Sequence, residues 1–350
     1  GEILAGRGFW PGLCVSLKHN SKFASFVLLA KGDFPAELDI KFPFALLSNN
    51  VTDNVLEIMP AYWFMHNMYA LARNSWKYTQ RDKRTEILLD IEQDYLAPDS
   101  VNEIFEALEI LEVSVGNAYV AKFPKENVSD IRAKGKQLLN DDVEFAKSLD
   151  VSVSNVENSK RLVRVLKPVQ AYHMYKQMVV LYGIQNLLLY CKRYVQDGFE
   201  LIKSTFSTCE RNEFLNLGGQ LVRIDRVNQM KSEVKSGAID SWDEMHEQYK
   251  KGQENYSKDK MCHAIISMLE VSDSTPQDLT KEKFVELVKV SLRTKKHINE
   301  NTFASRRKDH VNHFRRMMYD TQEEMDEVIG KMSENSLSLI HISEPTRQEA

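Results

Sequence analysis

The N-terminal segment, residues 1–56, shows no helical period and is rich in Gly, Pro, Phe and β-branched residues. Within it, apolar residues fall on a six-residue ladder at Ile3, Phe9, Val15 and Val27, and Ser21 occupies the missing rung. This spacing is typical of the inward corners of a left-handed β-helix, whose triangular coils have three six-residue sides. An irregular β-rich segment explains the ladder almost as well. The pattern therefore predicts β structure over residues 1–56, as the terminal coils or cap of a left-handed β-helix packed on the first helix.

From Met59 onward the apolar positions recur every three or four residues, which predicts amphipathic helices. The first stripe follows Pro60 and consists of Tyr62, Met65, Tyr69, Ala72 and Trp76. The longest helix is expected to begin at Pro168 and to form the centre of the core, because Pro suits the first helical turn. Its buried stripe is expected to be Tyr175, Met178, Tyr182 and Leu189.

The remaining pattern predicts further helices separated by polar links and glycines. They are expected at about 126–140, 141–149, from Ser241, after a cap at Thr280 and at about 305–330, with a break at Gly218 and Gly219. No repeat of 20–50 residues is present, so a regular solenoid is not expected. The predicted fold is mainly α with a small β-rich N-terminal segment, divided into residues 1–56 and a multi-helix domain at 57–335.

The two ends of the chain indicate a fragment. Residues 337–347 match, codon by codon, the translation of a transposase sequencing adapter, so residues 336–350 are interpreted as non-native, unstructured and dispensable. The chain begins at Gly1 rather than Met. We therefore expect a C-terminal piece of a longer protein.

Charge and hydropathy restrict the partners. The 46 basic and 50 acidic residues give a net charge of -4 and are mixed along the chain, which gives no reason to expect nucleic acid. The most apolar stretch, residues 177–191, is too short and too polar to span a bilayer, so no membrane partner is expected. The four cysteines form no CxxC pair and are expected to be reduced, small apolar residues of a cytoplasmic protein.

His19 is the candidate catalytic residue. It lies on a turn of the β-rich segment, and an imidazole that titrates near neutral pH can remove a proton from an acceptor hydroxyl or amine. The alternative is a histidine in an ordinary loop hydrogen bond, and this alternative is the more common situation.

Residues 31–38 (KGDFPAEL) have the composition of a turn and supply candidate substrate-binding residues. Lys31 could hold a phosphate, while Asp33 or Glu37 could orient a sugar hydroxyl. The alternative is a capped turn with solvated charges, because the segment matches no phosphate-loop pattern.

A basic stretch near the C-terminus supplies a candidate anion-binding face at Arg306, Arg307 and Arg315. His310 and His313 lie one turn apart, but the surrounding arginines would repel a divalent cation, so no metal site is predicted. A solvated helix face explains the arginines as well. The chain lacks P-loop, GxGxxG, GxSxG and HExxH motifs, and no cofactor is predicted.

Several stretches resemble one uncharacterised family of gut anaerobic bacteria. They are residues 20–26 (NSKFASF), 31–38 (KGDFPAEL), 43–44 (PF), 48–50 (SNN), 59–76, 216–221 (NLGGQL) and 241–242 (SW). The resemblance implies a hexapeptide-type left-handed β-helix followed by a long helical region of unknown function, with no assigned catalytic residues.

Two functions of different class are compatible with this resemblance. The first is a hexapeptide-type transferase that uses an acyl donor or a nucleotide sugar, with His19 in the β-helix, because such β-helices often belong to acyltransferases or follow sugar nucleotidyltransferase domains. Fold alone does not fix function. The second is a non-catalytic helical scaffold or oligomerisation region that assembles with itself or with a partner. A charged His19 directed into a cleft would favour the transferase.

Overall fold

Short strands occupy the N-terminal part of the chain. The structure is a computed structural model that describes residues 1–86, 90–193 and 199–331. The strands are β1 (Ile3–Ala5), β2 (Trp10–Pro11), β3 (Val15–Leu17), β4 (Ser21–Phe23), β5 (Leu28–Leu29), β6 (Gly32–Phe34), β7 (Asp39–Ile40), β8 (Leu46–Asn50), β9 (Val55–Met59), β10 (Val163–Val165), β11 (Phe214–Leu217) and β12 (Gln220–Arg223).

Helices dominate the rest, so the expectation of a mainly α protein with a small β-rich segment is confirmed. They are α1 (Tyr62–His66), α2 (Met68–Arg81), α3 (Pro98–Lys122), α4 (Ile131–Asp141), α5 (Val143–Lys147), α6 (Pro168–Arg193), α7 (Phe199–Phe206), α8 (Ile224–Ser236), α9 (Trp242–Val271), α10 (Lys281–Val311), α11 (His313–Arg316) and α12 (Gln322–Ile329). A short 3₁₀ turn, Pro276–Asp278, precedes α10.

The first strands pair in parallel at a nearly constant spacing along the chain. Ile3 pairs with Ser21 and Trp10 with Leu28, so each partner lies three six-residue sides further along. Val15 pairs with Gly32, one position short of that spacing. Successive strands therefore belong to three different sheets. The neighbouring strands are β1-β4-β7 in the first sheet, β2-β5-β8 in the second and β3-β6 in the third. Each turn of chain thus contributes one strand to each side of a three-sided coil.

A column of left-handed residues marks one corner of this coil. Gly8, Phe26 and Phe44 follow one another at the spacing of a full turn and have φ values of 69°, 58° and 58°. The Phe26 and Phe44 rings stack with centroids 4.9 Å apart. A Cβ at position 8 would lie 2.2 Å from a ring carbon of Phe26, so the column requires glycine at its first position.

The parallel coil ends where β9 turns back on β8. These two strands pair antiparallel from Leu46–Met59 to Asn50–Val55, and β10 then adds to the free edge of β9. The strands therefore continue to Met59, where the sequence pattern places the start of a helix. The predicted division into residues 1–56 and 57–335 stays a prediction.

The end of the coil lies beneath the helices. Phe42, Phe44 and Phe64 are at most 1% exposed, and Phe44 and Phe64 have ring centroids 4.3 Å apart. From α6, the Tyr175 hydroxyl donates to the Pro43 carbonyl at 2.6 Å and accepts from the Ala61 amide at 3.0 Å. The core is therefore continuous from the strands into the helices.

α6 forms the centre of the helical part and packs against α3, α9 and α10. Tyr175, Met178 and Tyr182 are 0–1% exposed, as their spacing predicts. The expectation for Leu189 is wrong, because this side chain is 63% exposed. The covered face rotates near the end of α6: Tyr190 packs on Phe206 of α7, and the face that carries Leu189 is left open.

The sequence predicts the N-caps of the helices more accurately than it predicts where the helices end. Ser241 and Thr280 accept hydrogen bonds from the amides of Glu244 and Lys283, as expected of N-caps. The predicted helix at 305–330 is instead interrupted, because α10 ends at Val311 and two short helices follow. The break at Gly218 and Gly219 is the turn of the β11–β12 hairpin. Residues 336–350 lie outside the described part of the chain.

Candidate functional site

His19 and Glu37 lie at the same corner of the coil, on successive turns. His19 is exposed and Glu37 is half-buried. The Asn158 amide donates to the Glu37 carboxylate at 3.0 Å, and this bond, helped by nearby Lys18 and His19, lowers the pKa of Glu37. The arrangement is a solvent-facing pair rather than a residue directed into a cleft.

The other two predicted substrate-binding residues lie elsewhere on the coil. Lys31 and Asp33 are both exposed. Lys31 directly precedes β6, and Asp33 lies on it. The backbone carbonyl of Asp33 accepts from the Asn49 side chain at 2.6 Å. Lys31, Asp33, Glu37 and His19 therefore form no single concave site, and their roles stay predictions.

The basic residues near the C-terminus are divided between two helices. Arg307 lies on α10 and Arg315 on α11, both exposed, and the helices are separated by a break at Asn312. The side chain of Arg306 lies outside the described part. The anion-binding role stays a prediction. Within the described ranges, no group of three His, Cys, Asp or Glu side chains is placed to hold a metal ion.

A buried network of charges joins the coil to the helices, and we call it the polar junction: Arg7, Glu92, Asp94, Asp99, Tyr256 and Lys260. Arg7 donates to both Asp99 carboxylate oxygens at 2.6 and 2.8 Å and to the carbonyls of Glu92 and Asp94 at 3.2 and 2.9 Å. The Arg7 and Asp99 side chains are only 10% and 13% exposed. The first turn of the coil is thus tied to the start of α3 and to the link that precedes it.

α9 supplies the other half of the polar junction. The Lys260 ammonium lies 2.9 Å from Glu92 Oε2 and 2.7 Å from an Asp94 carboxylate oxygen, and the Tyr256 hydroxyl also donates to Glu92. Burial alone would lower the pKa of Lys260, but the two carboxylates outweigh it and raise that pKa. Burial and the Glu92 charge raise the pKa of Tyr256. Every charge in this group therefore has a partner, which is the condition for a stable buried network.

A second polar group, the His263 cluster, lies one turn further along α9 and comprises Asn102, Tyr182, Arg211, His263 and Ser267. His263 is fully buried, with Nε2 3.1 Å from the Asn102 side-chain oxygen and Nδ1 3.4 Å from both the Tyr182 and Ser267 hydroxyls. Burial, assisted by the Arg211 charge, lowers the pKa of His263 to about 3. The imidazole is therefore neutral at pH 7 and serves as a hydrogen-bonding residue.

Glu103 is a buried carboxyl at the contact between α3 and the coil. It accepts the Ser25 backbone amide at 2.8 Å. Burial raises its pKa to about 7, against the opposing effect of the Ser25 hydrogen bond. Its ionised form is thus disfavoured in the folded protein.

We expect Glu103→Gln to remove a pH dependence of stability. The folded carboxyl holds its proton up to about pH 7, whereas an unfolded one loses it near its ordinary value, so stability falls as pH rises through this interval. The free energy of unfolding of the variant, relative to the unsubstituted protein, should rise by roughly 2–3 kcal/mol between pH 4.5 and pH 8. Urea unfolding at the two pH values measures this difference. The titration of His263, which acts in the opposite direction, is common to both proteins and cancels. An unchanged difference would show that Glu103 is solvated.

The sequence contains one overlooked signal for these groups. Tyr256, Lys260, His263 and Ser267 are spaced by three or four residues, so they share one face of α9. His263 and Ser267 are the polar residues of the otherwise apolar stretch 261–269, and polar residues in such a stretch indicate a buried network. Its partners come from remote parts of the chain, such as Glu92 at a sequence separation of 164 from Tyr256. No local pattern identifies partners at such separations.

The cysteines depart from the sequence-based expectation. Cys209 and Cys262 form a disulfide with a Cα–Cα distance of 5.3 Å, which does not include Cys14 or Cys191. The expectation of four reduced cysteines is therefore wrong for this pair. The residues are 53 positions apart, so no motif joins them.

An open groove of about 950 Å³ runs between α3 and residues 152–163. Its arginines are already paired: Arg132 with Glu112 and Glu109, and Arg161 with Glu157. The two arginine charges of the groove are therefore compensated by carboxylates. No helix in the described ranges is long and apolar enough to cross a membrane.

The C-terminal part of the chain matches a family model. Residues 199–341 match the family described as "Domain of unknown function (DUF6819)". The matched stretch includes α9, and so Tyr256, Lys260 and His263.

Nearly all of the chain is similar to a protein described as "Uncharacterized protein" from Treponema pallidum (strain Nichols), with 33% identity over 337 residues. The match covers 96% of this chain and 45% of that protein, so the chain spans less than half the length of this relative. No solved structure matches the chain. Both similarities fit a family of unknown function, and neither bears on the expected gut-anaerobe source or on a hexapeptide β-helix.

Proposed function

We propose that this chain is a non-catalytic end module: its first residues are the last turns of a left-handed β-helix, and its helices close and stiffen that end. Parallel pairing that returns after 18 residues, or after 17 at two of the strand pairs, and that is distributed over three sheets, supports the coil. Six residues per side and the left-handed corners at Gly8, Phe26 and Phe44 support the hexapeptide type.

The observation that carries the proposal is the covered end of the coil. After β8 the chain does not begin another parallel turn; instead β9 runs antiparallel to β8, and the Phe64 ring of α1 lies against Phe44. An uncovered strand edge invites pairing with other chains. A helical layer fixed by the Tyr175 hydroxyl to Pro43 and Ala61 prevents this.

The polar junction supports a rigid module. Arg7 and Lys260 hold the first turn of the coil, α3 and α9 together through buried ion pairs. A module of this kind can position a neighbouring part of a longer protein or assemble with a second copy. A chain that spans less than half of its relative leaves room for such a part.

A hexapeptide-type transferase acting on an acyl donor or nucleotide sugar is the second candidate. The observation in its favour is that His19 and Glu37 lie close together at one corner of the coil, because a carboxylate near an imidazole can orient the imidazole as a general base. Against it, Lys31 and Asp33 face elsewhere, and His19 is exposed to solvent on the described surface.

A thermal-shift screen against acyl-CoA and nucleotide-sugar panels separates the two candidates. The end-module proposal predicts no saturable rise in melting temperature with any of these ligands. The variants His19→Ala and Glu37→Gln should melt as the unsubstituted protein does in their presence. A saturable rise that His19→Ala abolishes would overturn the proposal in favour of the transferase.

A further inference from the structure

The Cys209–Cys262 bond links an irregular segment of the chain to α9. Cys209 lies in the irregular link 207–213 that follows α7, and Cys262 lies on α9. Both residues are half-buried, so a small reductant can reach the sulfurs. The bond closes a loop that contains the β11–β12 hairpin, α8 and most of α9.

The disulfide lies next to two residues of the His263 cluster, Arg211 and His263. Arg211, two residues after Cys209, donates to Asn102 at 2.8 Å and lies 4.0 Å over the Phe105 ring. His263, the residue after Cys262, approaches the same Asn102 oxygen at 3.1 Å. Asn102 in turn donates to the Asn212 carbonyl at 2.9 Å. The link and α9 therefore meet at Asn102, with the disulfide as their covalent connection.

The remaining tie between the link and α9 is weak. The Arg211–Glu270 ion pair spans 2.6 Å, but its side chains are 29% and 41% exposed. Pairs of this exposure contribute little to stability in water. Phe214, directly after the link, lies edge-on against the Tyr256 and His263 rings of α9. Without the covalent bond, residues 207–213 themselves are held to α9 by this exposed ion pair and by the contact that Arg211 and His263 share at Asn102.

We propose that the Cys209–Cys262 bond is a redox latch: exchange with a dithiol reductant releases the link 207–213 from α9 and opens the His263 cluster to solvent. The inference does not depend on the end-module function. It names a modification site on this chain and its reactant class, a protein or small-molecule dithiol.

The exchange is balanced in electrons and protons. A thiolate of the reductant attacks one sulfur, the Cys209–Cys262 bond breaks, and the displaced cysteine leaves as a thiolate that takes up a proton. The second thiol of the reductant then attacks the mixed disulfide, closes the reductant's own disulfide and releases the other cysteine as a thiol. Two electrons pass to the cysteines, and the dithiol is oxidised.

Limited trypsin digestion after Arg211 tests the latch, with dithiothreitol as the dithiol and thiol counting to follow the bond. We expect cleavage at Arg211 to be at least about tenfold faster in the reduced protein than in the oxidised one, since cleavage tracks local opening. The double variant Cys209→Ser, Cys262→Ser should show the fast rate without reductant. The matched double variant Cys14→Ser, Cys191→Ser, which lacks the two cysteines outside the disulfide, should remain slow until it is reduced.

Cleavage at Arg164 in β10 serves as an internal reference for global unfolding. An increase confined to Arg211, together with a His263 pKa that moves from about 3 toward its ordinary value in the reduced protein, is the expected result. Equal acceleration at Arg164 would mean that reduction unfolds the whole chain and would overturn the latch. So would a complete reduction with an unchanged Arg211 rate, or four free thiols in the air-oxidised protein.

Discussion

Replacing Lys260 with Met is expected to lower the free energy of unfolding by roughly 3–5 kcal/mol, because it leaves the buried Glu92 carboxylate without its cation. Glu92 is 5% exposed. Of the two side chains on α9 that contact its carboxylate, only Tyr256 would remain. Urea unfolding at pH 7, followed by circular dichroism, measures the loss.

The control is the exposed ion pair Lys41–Glu106, whose side chains are 42% and 49% exposed. Lys41→Met should change stability by at most about 1 kcal/mol. The double variant Lys260→Met, Glu92→Gln should recover part of the loss, because it removes the uncompensated charge as well. A loss below about 1 kcal/mol for Lys260→Met would contradict the burial of the polar junction.

Phe44→Ala is expected to lower the free energy of unfolding by roughly 3–5 kcal/mol. Phe44 is fully buried between Phe26 of the previous turn and Phe64 of α1, at 4.9 and 4.3 Å between ring centroids. Alanine keeps a Cβ at the same left-handed position, so the substitution removes ring contacts rather than changing the backbone requirement. Chemical unfolding monitored by tryptophan fluorescence, with Trp63 near the lost ring, measures the effect.

The matched control is Leu13→Ala on the same coil, at a side chain that is 89% exposed. This change should stay within about 0.5 kcal/mol, the range of ordinary surface substitutions. A loss at Phe44 no larger than at Leu13 would mean that the helices do not cover the end of the coil.

Local chemistry made part of the fold predictable. The six-residue ladder predicts β structure because side-chain burial in a repeating coil repeats with the chain. Val27 and the missing rung, Ser21, are 0% and 2% exposed, whereas Ile3 on the first turn is 44% exposed and does not face inward. The caps at Ser241 and Thr280 depend on hydrogen bonds within three residues. Such signals require no knowledge of distant parts of the chain.

The wrong predictions concern features that are determined by contacts between distant parts of the chain. Leu189 continues the apolar stripe of α6, yet this side chain stays exposed, and the helix period contains no information on where neighbouring helices end. Met59 reads as a helix start but belongs to β9, because its strand pairs with β8 and β10. Tertiary pairing overrides a local periodic pattern in both cases.

The sites predicted from the sequence also differ from the polar groups that the fold assembles. The sequence predicts sites at His19 and Lys31 because their residue types suit catalysis and phosphate binding. The buried polar groups are instead assembled from single residues such as Arg7 and Lys260, which lie on separate elements and match no motif. Cys209 and Cys262 likewise meet only in the folded chain.

The central claim is that the coil and the helices fold as one unit, with the helices closing the coil. Native-state amide hydrogen exchange on Phe44→Ala and the unsubstituted protein tests it most directly. The amides of Lys22 and Ala24, which donate between turns of the coil, and those in the middle of α6 are the probes. The account predicts that the substitution lowers the opening free energy of both sets by the same amount. A loss of protection confined to Lys22 and Ala24, with α6 unchanged, would show two independent units and contradict the account.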